Sequence, residues 1–160
     1  MPYATVTVIP TITKANCDAL DVLSHSFEEL PLPTRNGKPC KIENINIVNR
    51  GNLNAAISII VVENIDGATT LGSAGSEVTI SDADLATNRL LSAFNNITPT
   101  NLGTNLESTT SAFSEFVVEG KGGNPYYQVI AYQAQDYSAT GANISNPITL
   151  TFSFHYEIPN

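Results

Sequence analysis

The 160 residues include no tryptophan and one methionine, and cysteine occurs only at Cys17 and Cys40. Two cysteines in a chain of this length do not make the disulfide framework of a small secreted domain, so two buried thiols are expected. Charge is scarce as well: Asp, Glu, Lys and Arg make up 14% of the chain, where about 25% is usual for a soluble domain. Cations are scarcest, seven against fifteen acids, for a net charge of −8. So few cations neutralise few phosphates while the carboxylates repel them, which argues against a nucleic-acid partner. No segment approaches the ~20 apolar residues of a membrane span. The longest apolar run, Ile57 to Val62, is interrupted by Ser58 and reads as a buried strand. The opening Met1-Pro2-Tyr3-Ala4-Thr5-Val6 lacks the basic and then apolar stretches of a secretory signal. Synthesis in a cytoplasm, with reduced cysteines, is the expectation.

Neutral hydrogen-bonding side chains replace the missing charge: 17 Asn, 17 Thr and 13 Ser. Thr favours strands, whereas Asn and Ser favour turns. The charge that exists is uneven, since residues 51–160 hold only Arg89 and Lys121 against ten acids. The length suits one domain, 1–160, with its own core.

Periodicity in the chain is mostly that of strands. Ile148, Leu150, Phe152, Phe154, Tyr156 and Ile158 alternate with polar residues, giving a half-buried strand. Tyr3 to Ile9 alternates in the same way and is closed by Pro10. Tyr126 to Gln135 carries apolar residues on both faces, as a central strand does, and Leu20 to Leu30 is weaker and reads as an edge segment before Pro31 and Pro33. Arg35-Asn36-Gly37-Lys38 reads as a tight turn. Two hairpins are expected: Ile42–Val48 with Leu53–Glu63 across Asn49-Arg50-Gly51-Asn52, and Phe113–Glu119 with Tyr126–Gln135 across Gly120 to Pro125. Ser81 and the early acids Asp82 and Asp84 suit the start of one short helix. Arg89 to Thr98 fits a helix or a strand, and Thr98 to Ser111, rich in Asn, Thr and Gly, reads as a long loop. The fold class expected is all-β: an antiparallel two-sheet sandwich, jelly-roll-like or immunoglobulin-like, with at most one short helix.

Chemistry is harder to find. His25 and His155 are not in a metal-ligand spacing, and no His or Cys lies within four positions of another. Asp82 and Asp84 supply too few oxygens for a calcium loop. Neither cysteine has a partner that would make it evidently reactive, and no serine sits in a Gly-x-Ser-x-Gly elbow. Gly120-Lys121-Gly122-Gly123 lacks the remainder of a phosphate loop, and Glu28-Glu29 point to opposite faces of an extended chain. The sequons at Asn96 and Asn143 are expected by chance in so Asn- and Thr-rich a chain. No catalytic, cofactor-binding or metal-binding residue is therefore assigned, and an enzyme is not expected. A sugar-binding module is the main competitor, with tyrosines for stacking. Against it stand the missing tryptophan and the placement of Tyr126, Tyr127, Tyr132 and Tyr156 in strands, where core packing accounts for them.

The run Ile45-Asn46-Ile47-Val48-Asn49-Arg50-Gly51, the Gly-rich segment 120–125 and the strand ending Phe152-Ser153-Phe154-His155-Tyr156-Glu157 resemble small head proteins of tailed bacteriophages, decoration proteins in particular. The likeness is one of style over most of the chain and carries over no contact residue. It implies a non-enzymatic β-rich module that sits outside a virion shell, with copies of itself and a major capsid protein as partners. A minor capsid or spike module is the alternative within that class.

Overall fold

The computed structural model describes residues 3–12, 16–24, 26–34, 38–49, 56–63, 72–79, 81–88, 90–97, 100–101, 107–119, 123–131, 135–136 and 148–156. Its strands are β1 (Tyr3–Val8), β2 (Asn16–Cys17), β3 (Glu28–Glu29), β4 (Cys40–Asn49), β5 (Ile57–Val62), β6 (Leu90–Ile97), β7 (Thr100–Asn101), β8 (Glu107–Val118), β9 (Tyr126–Ala131), β10 (Gln135–Asp136) and β11 (Ile148–His155). One short helix, α1 (Asp82–Asn88), precedes β6. It is neither long nor apolar enough to cross a membrane, and no other described helix is.

Two antiparallel sheets carry the fold, in the orders β1-β11-β4-β8-β7 and β3-β9-β5-β6, with β2 and β10 forming a separate small ribbon. The pairing is nested. β5 pairs β6, β4 pairs β8, β3 pairs β9 and β1 pairs β11, so the chain behaves as one long hairpin whose successive strand pairs lie alternately in the two sheets. A rolled-up hairpin of eight strands in two sheets is a jelly roll, and the immunoglobulin-like alternative falls away.

Nesting overturns both expected hairpins. β4 lies between β11 and β8, whereas β5 lies between β9 and β6 in the other sheet, so the two do not pair. Likewise β8 and β9 belong to opposite sheets and do not form a ladder with each other. Glycine and proline mark where a strand stops, but they do not name its partner. The expected loop from Thr98 to Ser111 also needs correction, because β7 and the first five residues of β8 fall within it. Thr, Ser and Glu there pair with β4, and pairing overrides the weak local preference. Leu90–Ile97, within the stretch that fits a helix or a strand, is strand β6. The turn residues 35–37, the start of the second expected strand at 53–55, Gly120–Gly122, Tyr132 and Ile158 lie outside the described residues.

Both sheets contribute to one core. Phe152, Phe154, Leu150, Ile42 and Ile45 from the first meet Ile57, Ile59, Val61, Tyr127 and Val129 from the second, all buried. The Phe152 ring lies 6.3 Å from that of Tyr127 and 6.2 Å from that of Phe154. Along β5 and β9 the second sheet is covered on its outward side too: Gln128, Ile130, Ser58 and Val62 are buried and Ile60 is half-buried. There Val22 and Ile130 form a smaller cluster with Phe27, Ile60 and Val78. The segment 20–24 is held as a broken edge strand, by Leu23 N donating to Val129 O (2.9 Å) and Val22 N to Ser76 O (2.9 Å). The turn that supplies Ser76 needs Gly72, whose φ is +127° and whose added Cβ would stand 2.9 Å from Glu77 O.

Candidate interaction surface

The first sheet is built differently, because its outer side is polar and, along β1, exposed. In β1, Val6 and Val8 turn to the core while Tyr3, Thr5 and Thr7 are exposed. In β11, Leu150, Phe152 and Phe154 are buried while Thr149 and Thr151 are half-buried. Backbone register aligns the outer residues in rows across the strands. One row runs Thr7, Thr151 and Asn46; the next runs Thr5, Ser153 and Asn44, of which Ser153 is buried. Thr7 Oγ1 and Thr151 Oγ1 are 3.1 Å apart and share a hydrogen bond. Hydroxyl and amide groups thus stand in rows spaced by the strand separation, about 4.8 Å.

One end of this face is different in character. β4 carries a bulge at Glu43: Ile42 pairs with Phe154 and Asn44 with Ser153, leaving Glu43 outside the ladder. The bulge re-aims the carboxylate, and Glu43 Oε1 reaches His155 Nδ1 at 3.1 Å. That contact is a hydrogen bond with the imidazole neutral and an ion pair with it protonated. The His155 ring also meets Tyr3 edge to face, with centroids 5.5 Å apart. The sequence carries a signal for this bulge, since the apolar positions of β4 step from Ile42 to Ile45 and change phase there.

The other residues considered for chemistry have structural roles or fall outside the described part. Glu28 Oε2 accepts from Tyr127 Oη (3.3 Å) and Glu28 Oε1 from Thr11 N (2.6 Å), while Glu29 Oε1 accepts from Asn124 Nδ2 (2.6 Å). The two carboxylates therefore tie β3 to different neighbours. Burial, the negative charge of Glu28 and the hydrogen bond to it all push the Tyr127 phenol up, so it stays a neutral donor. Tyr126 and Tyr156 are half-buried, and Asp82 is exposed at the start of α1. Among the described residues no three His, Cys, Asp or Glu side chains come together. His25, Asn143 and the side chains of Cys17, Asp84 and Asn96 lie outside the description.

Cys40 is a free, buried thiol, and burial pushes its pKa up to about 12. At pH 8 a thiol of that pKa is ionised to roughly one part in ten thousand. In a Cys17→Ser background the folded protein should consume a thiol reagent thousands of times more slowly than the same protein in denaturant. Equal rates would show that Cys40 is not buried.

No protein-family model matches the chain, and no curated protein is significantly similar to it. Among solved structures the chain is similar to one from the crystal structure of tomato aspermy virus. The TM-score is 0.39 and the identity 13%, with 99% of this chain and 78% of that chain covered.

Proposed function

We propose that the chain is a non-catalytic virion structural protein that binds an assembled shell from outside, as a decoration protein does, through the outer face of its five-stranded sheet. The observation that carries this reading is a difference between the sheets: β5 and β9 of the second are buried on both sides, whereas the outer side of the first carries Thr5 and Thr7 exposed and Asn44, Asn46, Thr149 and Thr151 half-buried. Such side chains are adapted to hydrogen-bonded contact with another protein surface, and they keep the sheet from aggregating by hydrophobic collapse.

Size fits many weak contacts better than one strong one. Four strands about 4.8 Å apart and eight residues long present roughly 500 Å², whereas a stable pairwise interface takes about 800 Å² from each partner. A face of this size gains from multiplicity, and an assembled lattice of capsid protein supplies it. Binding the lattice but not its separated subunits then stabilises the shell by mass action. A charge of −8 favours the outside of a shell over contact with packaged nucleic acid. Jelly rolls serve both viral capsids and lectins, so the fold fits either class and the face has to discriminate.

The test is co-sedimentation with particles isolated from the source material, comparing wild type with an Asn46→Asp/Thr151→Asp variant. Wild type should pellet with particles and the variant should stay in the supernatant while melting like wild type. A wild type that ignores particles but binds a glycan array would replace this reading with the lectin one, and equal pelleting of both proteins would remove the face from it.

A further inference from the structure

β1 is an edge strand: it pairs with β11 on one side, and among the described residues no strand lies on its other side. Proteins usually blunt such an edge with a charge, a proline or a bulge. Residues 3–9 contain none of these, and the β1–β11 register runs unbroken from Tyr3 to Val8. The edge also keeps apolar surface open. Val6 and Val8 pack against the core yet are only half-buried, while Tyr3 is 54% and Ile9 48% exposed.

We propose that β1 pairs antiparallel with β1 of a second copy of this chain about a two-fold axis, joining the two five-stranded sheets into one, with Val6 opposite Val6. Directly opposed residues of an antiparallel pair share a face, so only registers whose paired residue numbers sum to an even value keep threonines outside and valines inside. Within that set, centring on Val6 sets Thr5 against Thr7, Ala4 against Val8, and Tyr3 against Ile9 of the second copy. The two large exposed apolar side chains at the ends of the strand then cover each other. Centring on Thr5 instead sets Tyr3 against Thr7, so Tyr3 and Ile9 do not meet. The contact is isologous and closes as a dimer, and it leaves the polar outer face free on both copies.

This inference goes beyond the shell reading and stands without it, because its test contains no particles. Sedimentation of the full chain at micromolar concentration should show a dimer. Thr5→Lys/Thr7→Lys sets like charges opposite each other twice and should weaken the dimer roughly tenfold or more, whereas Thr5→Lys/Thr7→Glu sets opposite charges together and should leave it intact. Both pairs of substitutions lie at exposed positions, and thermal melting checks that each variant folds. A monomeric wild type, or equal dimerisation of the two variants, overturns the proposal. Loss of the dimer in both variants overturns the Val6 register, since the Thr5-centred alternative opposes two introduced lysines.

Discussion

Phe152→Asp is expected to leave the chain unfolded at room temperature, while Thr151→Asp, one residue away, melts within a few degrees of wild type. Phe152 is fully buried in the middle of β11, between Phe154 of its own strand and Tyr127 of the opposite sheet. Truncating a buried phenylalanine costs about 3–5 kcal/mol through lost burial and the cavity left behind. An unpaired carboxylate in the same place adds several kcal/mol more, or stays protonated at a similar cost. The sum rivals the ~5–15 kcal/mol by which a domain of this kind is stable. Thr151 is half-buried on the other face of the same strand and meets Thr7 through a hydroxyl contact at the surface. Its loss costs about 1 kcal/mol at most. Circular dichroism melts of the two variants check the pair, and a wild-type melt for Phe152→Asp would remove β11 from the core.

Val22→Asp should be nearly as damaging, although Val22 lies in the weakest strand-like segment of the sequence. The residue is fully buried and forms the centre of the smaller cluster with Ile130, Phe27, Ile60 and Val78. Its own backbone is engaged as well, donating to Ser76 and accepting from Gly75 N at 2.8 Å. An aspartate there would place an uncompensated charge over the outer side of the second sheet, a loss of several kcal/mol. The contrast with Thr151→Asp is the informative part. Both changes add a carboxylate to the outer side of a sheet, and only the covered sheet should fail. Urea unfolding of the two variants measures this, and a Val22→Asp midpoint equal to wild type would mean that the second sheet is not sealed.

His155 shows how local and distant information divide. Its place in a strand was readable from alternation alone, and the outward side of that strand was readable as polar. Its neighbours Glu43 and Tyr3 lie more than a hundred residues away in the chain, and register brings the three together. The bulge that turns Glu43 toward it left a trace, the change of phase after Ile42, which alternation read strand by strand does not weigh. The free edge of β1 is the opposite case. Its lack of charge is printed in residues 3–9, but being an edge is a property of the whole sheet.

The sequence by itself determined the class of structure and the sidedness of its long strands. A period of two with Thr, Ser and Asn against Ile, Val and Phe allows only sheets that bury one face, and Ile57–Val62, apolar on both faces, had to lie under cover on each side. Tertiary structure alone decided which strands pair. Ile42–Val48 and the following strand were equally compatible with a hairpin, as were Phe113–Glu119 and Tyr126–Gln135, because a glycine-rich connection can turn back along one sheet or cross to the other. The choice is made by burial summed over the whole sandwich: alternating successive strand pairs between sheets lets β11 pair with β1 and β4 and brings the inward apolar residues of β4, β5, β9 and β11 into one core. That gain comes from contacts between residues far apart in the chain, and no local window of the sequence contains it.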